Sequence, residues 1–129
     1  DLTDPDDDND EMVDAWELAH SLDPFLDDAS VDADLDGNDN WSEFIADTDP
    51  QDPASVQTFS IAGAPVTGDA VVSFRTSANR RYAVEYHDDL GPAPWTDLGS
   101  SFWGTGSEMS VTDSTSSTRR FYRLNIELP

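Results

Sequence analysis

Residues 32–43 read DADLDGNDNWSE, and this twelve-residue stretch places acidic or amide side chains at positions 1, 3, 5, 9 and 12. With the backbone carbonyl of position 7, these are the ligand positions of a calcium-binding loop, since calcium takes about six to eight hard oxygen ligands. Position 6 is Gly37, where the loop turns sharply and needs a positive φ that glycine adopts without strain. The stretch predicts a calcium site with these ligands: Asp32, Asp34, Asp36, the Asn38 carbonyl, Asn40 and Glu43.

The same pattern occurs 26 residues earlier in the chain. This earlier copy predicts a second calcium site, with these ligands: Asp6, Asp8, Asp10, the Met12 carbonyl, Asp14 and Glu17. Its sixth position is Glu11, where a positive φ would strain the side chain. The offset also relates two Asp-Pro pairs, at 23–24 and 49–50, so the pattern indicates a duplicated unit. We therefore expect two bound Ca²⁺ ions. The remaining aspartates are expected in solvent or at caps, with one or two completing a site or holding an extra ion.

Each loop is predicted to continue into a short amphipathic helix. Apolar side chains recur there at helical spacing, at Met12, Ala15, Trp16, Ala19 and Leu22 and again at Trp41, Phe44, Ile45 and Thr48. The Asp-Pro pairs are predicted to end both helices, because a residue before proline avoids the α conformation. We expect the two helices to pack on each other through Trp16, Trp41 and Phe44.

The stretches DDDNDEMVDAWELAHSLDP and DADLDGNDNWSEFIADTDPQDP resemble bacterial thrombospondin type 3 repeats. The resemblance covers roughly residues 4–53, and its first copy departs from the pattern at Glu11. It implies EF-hand-like loop–helix calcium units and a secreted or cell-surface protein. Dockerins also combine a calcium loop with a helix, but they usually lack both the glutamate at position 12 and the trailing Asp-Pro. They are therefore the second choice of family.

The charge of the chain is divided unequally. Residues 1–53 hold 17 Asp, 3 Glu and no Lys or Arg, whereas residues 54–129 hold 8 acidic residues and all 6 Arg. We therefore predict two domains, 1–53 with the tandem calcium loops and 54–129 with a different fold. The net charge of −22 argues against binding to nucleic acid or to an anionic membrane. The chain also has no cysteine and no apolar run near the ~18–20 residues of a membrane span.

The second half alternates apolar and polar residues with period two and carries frequent turn signals. Strands are predicted at 56–62, 70–76, 81–88, 95–98, 108–113 and 119–128. The predicted fold class is mainly β, a small calcium-stabilised loop–helix pair followed by an antiparallel immunoglobulin- or fibronectin-III-like β-sandwich. The segments RRYAVEYHDDLGPAPWTDLG and RRFYRLNIELP resemble small β-sandwich modules that close many large secreted bacterial proteins.

Catalysis is not expected from this sequence. The only histidines are His20 and His87, and neither has a nucleophile or a metal partner close by in the sequence. Both are predicted at the surface or at a helix end. The chain has no nucleophile elbow, zinc-protease motif or phosphate loop. We therefore predict a protein that is not an enzyme.

The predicted function is a calcium-binding structural module of a secreted or cell-surface protein, and specifically the subunit of a head-to-tail extracellular filament. The acidic half of one copy would contact arginines on the next copy, namely Arg80, Arg81, Arg119 and Arg120. The alternative is an accessory module that anchors to cell wall or glycan through Trp95, Phe102 and Trp103. Of these, Trp95 is expected in the sandwich core and Trp103 at the surface. A dockerin-like interaction module is a further alternative.

Overall fold

A computed structural model describes residues 3–63, 69–89, 91–114 and 119–129. The chain divides into two compact units, the acidic unit Asp1–Val56 and the β unit Gln57–Pro129. The division falls three residues after the predicted boundary, because the chain from 54 to 56 stays with the acidic unit. Across the described ranges, no helix is long and apolar enough to cross a membrane.

The described part of the acidic unit contains two short helices. Helix α1 spans Asp14–Ala19 and helix α2 spans Asn40–Ala46, and each follows an acidic loop. Met12, Trp16 and Phe44 make the buried core of this unit. The rings of Trp16 and Phe44 meet edge to face with centroids 5.2 Å apart. The packing of the two helices through their aromatic residues is therefore as the sequence predicts, although the buried set is very small.

The helices end earlier than predicted, and the Asp-Pro pairs do not end them. Helix α1 is followed by Ser21 with φ 62°, and helix α2 by Asp47 with φ 57°. A residue in the left-handed conformation ends a helix and lets the next N–H reach back five residues, as in the Schellman motif. These closing bonds run from the Leu22 N–H to the Glu17 carbonyl (2.9 Å) and from the Thr48 N–H to the Glu43 carbonyl (3.1 Å). The duplication thus extends to the way each helix terminates.

The β unit contains two antiparallel sheets. The strands are β1 Phe59–Gly63, β2 Ala70–Arg75, β3 Arg81–His87, β4 Thr96–Asp97, β5 Phe102–Trp103, β6 Glu108–Asp113 and β7 Phe121–Glu127. One sheet has the order β1-β2-β6. In the other, β7 pairs with the whole length of β3. The short strands β4 and β5 both pair with β3, at opposite ends of it. A strand has only two edges, so β4 and β5 share the edge that β7 leaves open.

The core of the β unit draws residues from both sheets. Val72 and Phe74 of β2 and Tyr82 and Val84 of β3 are the buried residues of one cluster. Inward-facing residues of β7 pack against it, in the alternation that the sequence predicts: Tyr122, Leu124 and Ile126. Because both sheets contribute to one core, they pack face to face. The β unit is mainly β, as the sequence predicts. Strand β5 was not predicted, because two residues show no alternation to detect.

A buried carboxylate joins the two sheets. Asp113, at the end of β6, is 2% exposed. It accepts hydrogen bonds from the Tyr122 hydroxyl (2.7 Å) and from the Arg120 guanidinium (3.0 Å), both at the start of β7. A buried charge needs such partners, so this cluster fixes how the first sheet meets the second.

The predictions for His87 and Trp95 are wrong. His87 is only 9% exposed. Its Nδ1 accepts from the Asp89 N–H (2.9 Å), so Nε2 donates to the Ala93 carbonyl (2.9 Å). Trp95 lies edge-on to His87 with ring centroids 5.6 Å apart, outside the core between the sheets. The chain after β3 folds back over the end of that strand, which no local pattern indicates. His20, in contrast, lies at the end of α1 as expected.

Candidate metal centres

Loop II, residues 32–43, is folded around the carboxylate of Asp32. Its Oδ1 accepts from the N–H groups of Leu35 (2.7 Å) and Asp36 (3.2 Å), and its Oδ2 accepts from the Gly37 N–H (2.9 Å). Gly37 has φ 100°, which directs its N–H toward Asp32 without strain. Carboxylate oxygens of Asp32, Asp34 and Asp36 consequently all lie within 4.8 Å of one another.

Several oxygens of loop II are buried without a hydrogen bond. They are Oδ2 of Asp34, Oδ2 of Asp36 and Oε2 of Glu43, which have no partner within the part of the chain that the structure describes. Glu43 is 1% exposed, and its other oxygen accepts from the Thr48 hydroxyl (3.2 Å). An unpaired buried carboxylate is costly, whereas the same oxygens are good ligands for a hard divalent cation. The residues present therefore fit calcium.

Loop I, residues 6–17, repeats this arrangement. Carboxylate oxygens of Asp6, Asp8 and Asp10 lie within 4.8 Å of one another. The Glu11 N–H donates to Asp6 Oδ2 (3.2 Å), as the Gly37 N–H does to Asp32. Asp6 Oδ1 and Asp8 Oδ2 are buried and have no partner among the described residues. Loop I thus offers the same kind of oxygen-lined site as loop II.

The backbone of the two loops matches residue by residue. Glu11 has φ 76°, so position 6 is left-handed in both copies and the predicted strain at Glu11 is present. Position 4 is also left-handed, with φ 63° at Asn9 and 66° at Leu35. Sequence reasoning missed position 4. Asn9 offered a signal, because asparagine tolerates this conformation, but Leu35 offered none.

Hydrogen bonds within the acidic unit also hold the residues at positions 7 and 9 in place. The N–H groups of Met12 and Asn38, both at position 7, donate to the aspartate two residues earlier (2.9 and 2.8 Å). Asp14, at position 9 of loop I, accepts from the Asp7 N–H (2.8 Å). Its counterpart Asn40 is fully buried and donates through Nδ2 to the carbonyl and the carboxylate of Asp28 (both 3.0 Å).

The two position-12 glutamates carry the largest electrostatic perturbation of the acidic unit. Burial, and then repulsion from Asp8, Asp10 and Asp28, raises the pKa of Glu17 to about 7. Burial and the neighbouring loop II carboxylates raise the pKa of Glu43 to about 7, against an opposing hydrogen bond from Thr48. The sequence of this unit contains no lysine or arginine that could compensate these charges. A divalent cation would reverse the shift by favouring the ionised form.

One acidic group was not predicted from the loop spacing. Carboxylate oxygens of Asp10, Glu17 and Asp28 lie within 4.8 Å of one another. We call these three residues the junction group, because Asp28 lies between α1 and loop II. No local rule links Asp28 to Asp10, which is 18 residues away, so only the folded chain reveals the group.

Of the four predicted partner-binding arginines, one is buried, one is partly buried and two are exposed. Arg80 is 4% exposed, and the Arg120 side chain is 10% exposed. Arg120 donates to Asp88 (2.7 Å) and lies over the Tyr86 ring, 3.8 Å from its centroid. Arg81 is exposed, and the Arg119 side chain is 68% exposed with Asp89 3.8 Å away. Only Arg81 and Arg119 lie where a partner could contact them.

The three aromatic residues considered for glycan binding do not form one platform. Trp103 is 53% exposed, as predicted. Phe102 instead stacks inward on the Phe74 ring, with centroids 6.1 Å apart. Trp95 lies beside the last residue of β3, whereas Trp103 pairs with the first. Seven strand residues span about 20 Å, so Trp95 and Trp103 are too far apart to stack on one sugar ring.

Comparison with known proteins gives no family assignment. No protein-family model, no curated protein and no solved structure matches this chain. The function must therefore be argued from the loops and the junction group themselves.

Proposed function

We propose that this chain is a calcium-binding, non-catalytic structural module of a secreted or cell-surface protein. One observation carries the proposal. At positions 3 and 12 of both loops, an aspartate and a buried glutamate present carboxylate oxygens that have no hydrogen-bond partner among the described residues. The resemblance of both loops to thrombospondin type 3 repeats points the same way.

The donor set favours calcium over other cations. All the candidate side-chain ligands are oxygens, whereas zinc and copper sites commonly use histidine or cysteine. Magnesium prefers a near-ideal octahedron and keeps several waters, but calcium accepts the irregular, carboxylate-rich loops found here. Bound ions would also neutralise part of the −20 charge that residues 1–56 carry.

The stabilisation from calcium is of the size that a small unit needs. With a Kd of about 0.1 mM and about 1 mM free calcium, each site would contribute about 1.4 kcal/mol. The buried core of the acidic unit is limited to three residues. Affinities in this range are typical of extracellular modules, and this supports the proposed location.

The strand order of the β unit supports an immunoglobulin- or fibronectin-III-like sandwich. Immunoglobulin-type sandwiches hold strands A, B and E in one sheet and C, F and G in the other. With β1, β2 and β6 as A, B and E, and β3 and β7 as C and F, the observed order agrees. Strand G has no counterpart among the described residues. Tyr122 lies near the start of the F-like strand, where such domains carry a tyrosine.

Calcium titration of two matched variants tests the proposed site in loop II. Glu43→Gln removes a buried carboxylate at position 12, and Glu127→Gln makes the same chemical change at an exposed residue of β7. In isothermal titration calorimetry, Glu43→Gln should weaken one binding equivalent at least tenfold, and Glu127→Gln should match the wild type. Wild-type protein without millimolar or tighter calcium binding would contradict the proposal, as would a Glu43→Gln variant with unchanged binding.

The charge distribution supports head-to-tail assembly as the specific form of this function. Residues 1–56 carry −20, whereas residues 57–129 carry −2 and all the arginines. The acidic unit of one copy can therefore attract Arg81 and Arg119 of the next copy, and a contact of this kind that does not close generates a fibre.

Sedimentation and negative-stain microscopy test the assembly separately from calcium binding. Fibres should form in calcium, and should dissociate both in chelator and at high salt with calcium held constant. A calcium-bound protein that stays monomeric at every salt concentration would contradict the filament. It would leave a rigid spacer or an accessory binding module as the function.

A further inference from the structure

The junction group joins residues from different parts of the duplicated unit. Asp10 and Glu17 belong to loop I, whereas Asp28 lies in the segment that leads from α1 into loop II. One carboxylate oxygen from each of the three lies within 4.8 Å of the others. Three like charges this close repel one another strongly unless a cation or protons neutralise them.

The Glu17 side chain lies in this group with both of its carboxylate oxygens unpaired. It is fully buried, at 0% exposed, and neither Oε1 nor Oε2 has a hydrogen-bond partner in the described part of the chain. The unit has no lysine or arginine, and its one histidine, His20, contacts the Trp16 carbonyl through Nδ1 (2.8 Å). The described residues of the acidic unit thus supply no lysine or arginine for Glu17.

Asp28 is positioned by contacts from both repeats. Its N–H donates to Asp10 Oδ2 (3.3 Å), and the neighbouring Ala29 N–H donates to the same oxygen (3.1 Å). From the other side, Asn40 Nδ2 donates to Asp28 Oδ1 (3.0 Å). The Oδ1 of Asn40 is buried and has no partner among residues 3–63 or the other described ranges. The Nδ2 of Asn40 therefore holds the Asp28 carboxylate in place beside Asp10 and Glu17, while its Oδ1 remains the position-9 oxygen predicted for loop II.

We propose that the junction group binds a third calcium ion that links the two repeats. The inference rests on the proposed function, because it takes calcium as the ion that the acidic unit binds. Asp10 and Glu17 serve both this site and loop I, since an ionised carboxylate has about four lone-pair positions on two oxygens. Two ions then neutralise four of the six negative charges on the combined ligands of loop I and the junction: Asp6, Asp8, Asp10, Asp14, Glu17 and Asp28.

The site has a consequence for calcium binding. Asn40 starts α2 and occupies position 9 of loop II, so an ion at the junction orders the entry to the second loop. Binding at the junction and in loop II should therefore be coupled, each improving the affinity of the other by the same factor.

Calcium stoichiometry of the full chain tests the proposal, by equilibrium dialysis with radioactive calcium and by native mass spectrometry. The wild type should bind three ions. Asp28→Asn keeps an acceptor for Asn40 but removes the charge, and should weaken one equivalent by about tenfold or more. Asp27→Asn is the matched control, because it changes the charge equally at an exposed neighbour outside the junction group. It should still bind three ions.

Each outcome has a distinct meaning. A wild type that binds two ions overturns the junction site and leaves the proposed function standing, whereas one that binds none contradicts both. Three ions in Asp28→Asn with unchanged affinities would locate the third ion elsewhere and also overturn the proposal. Asp28→Glu is the control for a folding defect in Asp28→Asn. It keeps a carboxylate at position 28 and should still bind the third ion. The wild-type stoichiometry does not depend on any variant.

Discussion

Replacing Glu11 by glycine should stabilise the acidic unit. Glu11 and Gly37 both occupy position 6 of their loops, with φ 76° and 100°. Placing a residue with a side chain in the left-handed conformation costs about 1–2 kcal/mol, and glycine avoids this cost. Glycine also loses more conformational entropy on folding, which offsets about 0.5–1 kcal/mol of that gain. Glu11→Gly should therefore gain about 0.5–1 kcal/mol. The reciprocal change, Gly37→Ala, should lose about as much.

The structure isolates this effect at both positions. A methyl group added to Gly37 would meet nothing within 4 Å, so the loss in Gly37→Ala comes from the backbone conformation alone. The N–H of Glu11 keeps its bond to Asp6 in any variant except proline. Glu11→Gly also removes one negative charge from a strongly acidic unit. The control is Glu11→Gln, which removes the same charge and keeps the strained side chain.

Hydrogen–deuterium exchange of peptides from α1 and α2 reports on the acidic unit alone. At saturating calcium, Glu11→Gly should exchange about two- to fivefold more slowly than Glu11→Gln, since about 1.4 kcal/mol is a factor of ten. Gly37→Ala should exchange faster than the wild type by a similar factor. Equal rates in Glu11→Gly and Glu11→Gln would refute the strain at position 6, as would unchanged exchange in Gly37→Ala.

Three further changes have defined outcomes. In ion-free protein the raised pKa values of Glu17 and Glu43 mean that the fold binds more protons than the unfolded chain between about pH 4.5 and 7. Stability in urea, followed by circular dichroism, should therefore fall as pH rises through that window, and a double glutamine variant should lose most of the slope. Asp113→Ala should cost about 3 kcal/mol in urea unfolding, because it removes the buried acceptor of the Tyr122 hydroxyl and leaves the Arg120 guanidinium with Asp88 alone. Gly104→Ala should cost about 3 kcal/mol in the same assay. Its methyl group would lie 2.1 Å from a backbone carbonyl oxygen, whereas Gly63→Ala meets nothing within 4 Å and should be neutral.

The aspartates at positions 1, 3 and 5 of each loop come together as their spacing predicts, because these positions are close in the sequence. The predicted ligands of each loop lie within twelve residues, so their spacing alone predicts which oxygens come together. The left-handed conformation at Glu11 follows from the same alignment with Gly37. The place of Asp28 beside Asp10 and Asn40 cannot be predicted in this way, because these partners lie 18 and 12 residues away. Which of the surplus aspartates joins a site depends on how the two repeats pack.

The β unit divides in the same way between local and non-local information. Strands with clear alternation, such as β7, are found from the sequence, because one face must be apolar and the other can be polar. The errors at His87 and Trp95 arise where the chain folds back over the end of β3. No pattern in the sequence around His87 or Trp95 indicates that these two rings meet. The burial of His87 therefore could not be predicted from the sequence.

If the loops bind calcium as proposed, ion binding and helix packing in the acidic unit are coupled. Each helix begins at position 9 of its loop, so the position-12 glutamate is the fourth residue of the helix. Glu17 directly follows Trp16, and Glu43 directly precedes Phe44, the two rings that meet in the core. Neutralising a buried glutamate therefore holds in place the helical turn that carries its aromatic neighbour. Without a counter-ion, repulsion at the glutamates and loss of the ring contact act on the same turn, so chelation should unfold loops and helices together.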